Sequence, residues 1–242
     1  MLHQTRGIVL KTINHAENSV ISQIFTEKFG LQSYIIHGAK KNKAKIRINI
    51  LQPLHLLDMI VYHKNNGNIQ RISEARPSPL FQTLPYEVEK SAISLYLTEV
   101  LYKCLKQQST DKALFEYIFH TVSWLDATEK TPPHFHLYFL LRLSKFLGFY
   151  PALPSTPLPY LDLQNGVFTR NAPAHQYVLQ EPHTSQWIGL MRCTIENLIQ
   201  YRIPIDDRRL LLQKIMDFYR LHVDNFGEIK SHHVFEEVLR LR

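Results

Sequence analysis

The sequence has little cysteine, with two among 242 residues. Cys104 and Cys193 both fall inside helical patterns, and neither has a partner at the CxxC spacing of a zinc-ligand pair. We therefore expect two small buried core side chains, no disulfide framework and no cysteine zinc site. Histidines give no alternative, because His134 and His136 are two residues apart, whereas metal ligands on one helix face lie three or four apart. No metal or other cofactor is predicted.

Long apolar runs are also absent, since no stretch approaches the roughly 18 residues of a transmembrane helix. The first residues, 1–6, lead into an alternating strand pattern and lack the apolar core of a signal peptide. The composition is 45% hydrophobic, which is ample for a packed core. We expect a cytoplasmic globular protein that does not associate with membranes.

The common enzyme motifs are missing as well. The sequence has no GxxxxGK[ST] phosphate loop, no GxGxxG after a strand, no GxSxG and no HExxH. One carboxylate pair, Asp206-Asp207, precedes an apolar helical pattern, where helix capping and dipole stabilisation explain it better than catalysis. We predict a protein without enzymatic activity.

Acidic side chains are absent between Glu27 and Asp58, and this gap contains a basic segment. Five cations lie within eight positions: Lys40, Lys41, Lys43, Lys45 and Arg47. Extended patterns flank them, so the sequence predicts a basic loop between two strands. Residues 1–76 hold 11 Lys or Arg against 4 Asp or Glu, and the remaining residues hold 17 against 17. All of the net charge of +7 is therefore near this loop, which favours binding of a polyanion over a solvated hairpin tip that serves solubility.

The first third of the chain is typical of a small barrel. Strands are predicted over 7–12, 20–26, from 31, over 51–62 and over 69–74, with a turn at Asn65–Asn68 before the last. Five strands without a convincing helix indicate a closed barrel. An oligonucleotide-binding (OB) fold is the obvious candidate, although a small barrel of another type would give the same pattern.

Helical periodicity begins after Arg76-Pro77-Ser78-Pro79. Apolar spacing predicts two helices separated by a break at Ser109-Thr110, and a third, aromatic helix that ends at Gly148. A proline-rich stretch follows, with a hairpin at Asn165-Gly166. Later helices are predicted with Thr184, Asp206 or Asp207, and Ser231 as caps, the first of them ending near Tyr201. The expected fold class is α+β, with a barrel in 1–77 and a helical domain in 78–242 that carries an insertion at about 150–183.

Four short motifs, taken in order, carry a family resemblance: Gly7-Ile8-Val9-Leu10, Gly38-Ala39-Lys40-Lys41, Leu51-Gln52-Pro53 and Phe146-Leu147-Gly148-Phe149-Tyr150-Pro151. In this order and spacing they resemble the RecO family of bacterial recombination mediators, and the resemblance covers essentially the whole chain. Many members of that family carry a four-cysteine zinc module directly after the last motif. Because residues 150–183 contain no cysteine here, the chain resembles a zinc-free branch.

The resemblance implies a non-catalytic function in DNA repair and recombination, within the RecF pathway. A RecO-like protein is expected to bind single- and double-stranded DNA, to anneal complementary strands, and to work with RecR in loading RecA onto strands coated by single-stranded DNA-binding protein. It also implies a cytoplasmic location at the bacterial nucleoid. The candidate DNA-binding residues in this sequence are Lys11, Lys40, Lys41, Lys43, Lys45, Arg47 and Arg71.

The resemblance also implies that the helical domain receives the acidic, phenylalanine-ended tail of the single-stranded DNA-binding protein. We assign this contact to Arg142 and Lys145, the only charged residues between His136 and Asp162. Aromatic neighbours of this pair are expected to line a groove for the terminal ring. The alternative is a non-catalytic adaptor whose helical domain binds an acidic peptide and whose barrel is a platform, and a binding measurement on single-stranded DNA separates the two.

Overall fold

The computed structural model describes residues 1–64, 69–105 and 110–240. The turn predicted at Asn65–Asn68 and the first residue of the break predicted at Ser109-Thr110 lie outside these residues. The fold class predicted from the sequence is confirmed: a five-stranded barrel is followed by a helical region that contains a small sheet.

The barrel is formed by β1 (Leu2–Asn14), β2 (Val20–Thr26), β3 (Gly30–Ile36), β4 (Leu56–Tyr62) and β5 (Gln70–Pro77). The strands follow the order β1-β2-β3-β5-β4, and β1 pairs with β4 to close the barrel. All pairings are antiparallel except that of β3 with β5. Five strands closed in this way form an OB-like barrel.

Alternation along the strands directs apolar side chains into the barrel. Its core contains Val9, Val20, Ile24, Tyr34, Ile36, Ala39, Ile46, Leu51, Leu57, Met59 and Val61. Gly7 is required where β1 crosses this core, since a Cβ atom there would lie 2.4 Å from the Met59 methyl carbon and 2.7 Å from Ile24. The absence of a side chain lets β1 approach the packed interior closely.

The fourth strand begins at Leu56, and the prediction that it begins near Leu51 is wrong. Residues Ile48–Leu51 form a short 3-10 turn, and Leu54 has a positive φ of 58°, so the chain bends before the strand starts. Both Leu51 and Leu54 are buried. Apolar residues in this connection fill the end of the barrel, and their composition resembles that of a strand for this reason.

Two helices, α1 (Val88–Leu105) and α2 (Lys112–Ala127), share a compact unit with the barrel. Arg6 on β1 donates to Glu27 at 3.0 Å and also to Glu116 on α2. The segment before α1 is held by Asp126, which accepts the backbone N–H groups of residues 82, 83 and 84. Hydrogen bonds to this carboxylate keep its pKa below the usual value, although its burial acts in the opposite direction.

The final helix, α6 (His232–Arg240), belongs to the same unit. The predicted cap, Ser231, directly precedes it, but its hydroxyl donates to Glu99 on α1 at 2.7 Å. Glu99 also accepts the backbone N–H of Lys230 at 2.8 Å. Phe235 stacks on Tyr96, with 4.5 Å between the ring centroids. The helix is therefore fixed to α1 at its start and along its apolar face.

The second compact unit spans residues 129–228. It contains α3 (Phe135–Phe146), α4 (His183–Arg192), α5 (Ile205–His222) and a sheet of β6 (Tyr160–Asp162), β7 (Val167–Thr169) and β8 (Val178–Gln180) in the order β7-β6-β8. The predicted hairpin forms β6 and β7. Gly166 has a positive φ of 66° but Asn165 does not, so the expectation of a type I′ turn with two positive φ angles at Asn165-Gly166 is wrong. Contacts in the structure thus group α1, α2 and α6 with the barrel. The strand and helix patterns of the sequence instead place the domain boundary after residue 77.

Helix ends in this unit differ from the prediction in three places. Thr184 is inside α4, and its buried hydroxyl donates to the carbonyls of Pro159 and Leu179. That helix ends at Arg192, well before residue 201. Asp206 and Asp207 lie in the first turn of α5 instead of at its cap, where their charge favours the helix dipole. Within the described residues, no helix is long and apolar enough to cross a bilayer.

Candidate nucleic-acid interface

The basic loop lies between β3 and the 3-10 turn and is held by two buried side chains. Ala39 and Ile46 belong to the barrel core and are 2% and 5% exposed. Ile48 N–H donates to the Ala39 carbonyl at 3.2 Å, which closes the base of the loop. Gly38 leaves β3 with a φ of 71°, a conformation that glycine adopts easily. The loop is thus attached to the barrel at both ends while its middle faces solvent.

All five loop cations are exposed: Lys40, Lys41, Lys43, Lys45 and Arg47. Lys45 forms an ion pair with Glu74 on β5, with 3.0 Å between Nζ and Oε1. The other four form no ion pair within the described part of the chain. The sequence prediction of an exposed basic loop agrees with this arrangement, and its role in DNA binding stays a prediction.

The two remaining candidate cations lie on strands. Lys11 on β1 is exposed, and its Nζ stands 5.0 Å from the centroid of the Tyr102 ring on α1. This contact is a cation–π interaction, so Lys11 already has a partner within its own unit. Arg71 is exposed on β5, opposite Tyr62 on β4. Neither residue belongs to the loop.

A groove of about 440 Å³ lies on the outer face of β1, β4 and β5. Its lining consists of Gln4, Lys45, Asp58, Met59, Ile60, Glu74, Ala75 and Arg76. Besides the Lys45–Glu74 pair it contains a second ion pair, with 3.3 Å between Arg76 Nη2 and Asp58 Oδ2. Lys45 belongs both to the loop and to this groove, so the two features form one continuous surface.

Arg76 is a functional candidate that the sequence prediction missed. It was assigned to the end of the barrel segment, although its side chain is 78% exposed and lies in the groove. A period of two along β5 places Glu74 and Arg76 on the same face, and this signal was present in the sequence. The pairing of Arg76 with Asp58 depends on strand register, which the sequence does not specify locally.

Aromatic side chains on the barrel strands differ in whether solvent, and hence a base, can reach them. Tyr34 and Phe25 are fully buried, and burial raises the pKa of the Tyr34 phenol. Stacking by either ring is therefore excluded in this fold. Tyr62 is 47% exposed at the end of β4 and remains available.

The residues predicted for the partner tail both lie on α3. Lys145 is exposed, whereas Arg142 is half-buried and donates to the Cys193 carbonyl at 2.7 Å. Of the aromatic neighbours expected to line a groove, Phe139 and Tyr138 are buried, whereas Phe146 is half-buried. Arg142 thus contributes to packing between α3 and the end of α4, and Lys145 is the more accessible cation.

Both cysteines are buried, and burial raises the pKa of each thiol. Within residues 1–64, 69–105 and 110–240, no group of three or more His, Cys, Asp or Glu side chains is arranged to hold a metal ion. In the insertion that was predicted at about 150–183, Asp162 accepts two hydrogen bonds from Asn165 at 2.7 and 2.9 Å. These contacts close the hairpin without cysteine ligands.

Comparison with known families and proteins finds similarity to one family over nearly the whole chain. The family model described as "Recombination protein O N terminal" matches residues 1–81, and "Recombination protein O C terminal" matches residues 85–231. The chain is 36% identical over 242 residues to "DNA repair protein RecO" of Azobacteroides pseudotrichonymphae, covering 98% of this chain and 100% of that protein. Identity to the protein of the same name is 34% over 240 residues in Bacteroides fragilis, with 98% and 99% covered. In Flavobacterium johnsoniae it is 31% over 236 residues, with 97% and 98% covered.

Proposed function

Because this chain belongs to the RecO family of DNA repair and recombination proteins, we propose that it is a DNA-binding recombination mediator. In this proposal the barrel binds single- and double-stranded DNA and anneals complementary strands. Together with RecR, the protein helps to load RecA onto strands coated by single-stranded DNA-binding protein. It acts without catalysis, in the cytoplasm at the nucleoid.

The observation that carries this proposal is the exposed basic loop between β3 and β4. Four cations there, Lys40, Lys41, Lys43 and Arg47, have no acidic partner within the described residues. When these cations neutralise phosphates, counterions condensed on the DNA are released into solution, which makes binding favourable and sensitive to salt. Lysine contacts of this kind follow the backbone and do not read bases, so affinity is largely independent of sequence.

Annealing requires that two strands of like charge approach each other. A cluster of cations lowers their mutual repulsion locally, because the positive side chains neutralise phosphates of both strands. Base pairing then supplies the specificity, and the protein needs no catalytic group. The basic loop meets this requirement since its charge is concentrated within residues 40–47 and lies on the surface.

The proposed partner contact lies in the second compact unit. Lys145 on α3 is exposed and is available to the carboxylates of an acidic tail. This would give the protein a second, separate binding function, so that it can bind DNA and the single-stranded DNA-binding protein at the same time. A protein adaptor with an inert barrel is the competing proposal, and it predicts peptide binding without DNA binding.

The test is a titration of a fluorescent oligodeoxythymidine and of a mixed-sequence oligonucleotide with the purified protein at several salt concentrations. We expect similar affinities for both strands and a steep loss with salt, since each phosphate contact contributes about 0.7 to the logarithmic slope for a single strand. Complementary strands should anneal faster with the protein than without it. Absence of binding at low salt would leave only the adaptor.

A further inference from the structure

We propose that the groove on β1, β4 and β5 is a second contact surface for the DNA backbone, masked by two carboxylates. Glu74 and Asp58 hold Lys45 and Arg76 in ion pairs that phosphates must replace. This inference rests on the proposed binding of DNA by the barrel and adds acidic residues that determine its strength. The ligand class is a single-stranded polyanion with regularly spaced phosphates.

The geometry of the groove suits an extended polyanion. Lys45 joins the groove to the basic loop, so one strand can follow a continuous path from residues 40–47 onto the barrel face. Arg76 lies two residues beyond Glu74 on β5, and the groove lining near the cations includes the apolar residue Ile60. An apolar lining near the cations accommodates a sugar or base edge while phosphates contact the rims.

Phosphates can replace the two carboxylates as partners of Lys45 and Arg76, because both cations are exposed to solvent. The side chain of Lys45 is 68% exposed and that of Arg76 is 78% exposed. Ion pairs in such positions are weak, since water screens them and ordering of the long side chains costs entropy. A phosphate is at least as good a partner, and an arginine binds it with two parallel hydrogen bonds.

The carboxylates reduce the affinity that these cations supply. A phosphate that takes Lys45 leaves Glu74 nearby as an unpaired negative charge, which repels the strand. The exchange also changes the salt dependence: a phosphate that binds Lys45 releases a counterion condensed on the DNA, but the freed Glu74 carboxylate attracts a cation in its place, so little net release remains. A DNA strand that also contacts the basic loop binds despite this repulsion, because several contacts on one chain reinforce each other. A short anion makes too few contacts to do so.

Replacement of Glu74 by glutamine should therefore strengthen binding. Titration of the full-length Glu74→Gln variant with oligodeoxythymidine should give an affinity about two- to fivefold higher than that of the unaltered protein at low salt. The logarithmic salt slope should become steeper by about 0.7, corresponding to one additional phosphate contact. Asp58→Asn should act in the same direction through Arg76.

A double-mutant cycle of Glu74 and Lys45 measures how much Glu74 weakens the contact between Lys45 and DNA. Lys45→Ala should weaken binding by less than about twofold in the unaltered protein, because Glu74 already occupies this cation. In the Glu74→Gln background the same substitution should abolish the gain. The matched control is Glu129→Gln, which removes one exposed carboxylate outside the barrel and leaves the groove unchanged.

The outcomes separate the masking from the proposed function. If the unaltered protein does not bind the oligonucleotide, both are overturned. If it binds but Glu74→Gln and Asp58→Asn have equal or lower affinity while thermal unfolding is unaltered, the masking is overturned and DNA binding by the loop stands. An equal gain with Glu129→Gln would assign the effect to net charge and would also overturn the masking. If the Glu74→Gln variant fails to fold, Asp58→Asn decides the question. The double-mutant cycle then combines Asp58→Asn with Arg76→Ala.

Discussion

The barrel and the second compact unit use their cations differently. On the barrel loop, four of five cations are exposed without an acidic partner in the described part of the chain. In the second unit, Arg142 donates to the carbonyl of Cys193, Arg208 donates to that of Pro133, and Arg209 pairs with an aspartate of its own helix. These three arginines contact groups of their own unit, whereas four cations of the loop remain available to a ligand. The location of charge, and not its amount, therefore indicates the site.

The largest expected effect follows from removal of the loop charges. The variant with Lys40, Lys41, Lys43 and Lys45 replaced by Ala should bind single-stranded DNA about a hundredfold more weakly at low salt, and its logarithmic salt slope should decrease by about two to three. Its thermal stability should be nearly unchanged, because exposed lysines contribute little to folding. Affinity titrations at several salt concentrations measure both quantities.

An equal loss of charge elsewhere is the control for this comparison. Replacement of Lys112, Lys130, Lys214 and Lys230 by Ala removes the same four charges from residues after the barrel. If affinity depended on the net charge of +7, both variants would lose it equally. Equal losses would contradict the assignment of DNA binding to the loop.

The sequence predicts the loop more reliably than the contacts made by its residues. Absence of acidic residues and a run of lysines are local features, and the barrel follows from strand periodicity. The start of β4 was misplaced because Leu51 and Leu54, which fill the barrel end, are as apolar as strand residues. The strand β8 was missed because three residues carry too little periodicity.

Contacts between distant residues are the part that sequence reasoning could not supply. Ser231 was expected to cap its own helix, yet Glu99, 132 positions away in sequence, accepts its hydroxyl. Arg142 was expected to face a ligand, yet it donates to Cys193, 51 positions away. Such partners are fixed by tertiary packing, and a periodic pattern contains no information on them.

A buried histidine should make the second unit sensitive to acid. His134 is 2% exposed, and its Nε2 contacts the Leu198 carbonyl at 2.9 Å. Burial lowers its pKa to about 4, from a usual value of 6.5. Between these values the unfolded chain binds a proton that the folded chain does not, so the free energy of unfolding falls as the pH falls from 6.5 towards 4, by at most about 3 kcal/mol.

Urea unfolding across this pH window measures the effect. His134→Gln keeps an N–H group for the Leu198 carbonyl and cannot take up a proton, so its stability should fall less steeply with acid. His15→Gln, at an exposed position in the turn after β1, is the matched control. An identical pH dependence in the His134 variant and the unaltered protein would show that other groups cause the loss.

A smaller effect is expected for the acidic partner tail. Lys145→Ala should weaken binding of a synthetic acidic peptide ending in phenylalanine by about two- to fivefold, the range of one exposed charge pair. Arg142→Ala added to it should weaken binding further but also lower stability, since the hydrogen bond to Cys193 is lost. Calorimetry gives the peptide affinity, and the DNA affinity of both variants should stay unchanged. Unaltered peptide binding in the double variant would place the tail elsewhere.

The smallest expected effect is that of metal removal. The reason lies in the hydrogen bonds that stabilise the insertion of the second unit. Asp162 accepts Asn165 N–H at 2.9 Å and Asn165 Nδ2 at 2.7 Å, and His175 Nε2 lies 3.2 Å from the same carboxylate. Burial raises the pKa of Asp162, but these hydrogen bonds outweigh it and the pKa is lowered overall. The hairpin of β6 and β7 is thus closed by a carboxylate.

We predict that the fold needs no bound metal, so treatment with a strong chelator should leave the thermal midpoint and the DNA affinity unchanged. Elemental analysis of the purified protein should find zinc well below one ion per chain. Asp162→Ala is the comparison that shows the assay to be sensitive, since the loss of its hydrogen bonds should lower the free energy of unfolding by about 1–3 kcal/mol. A chelator effect as large as that of Asp162→Ala, together with stoichiometric zinc, would contradict the zinc-free assignment and would point to the histidines as ligands.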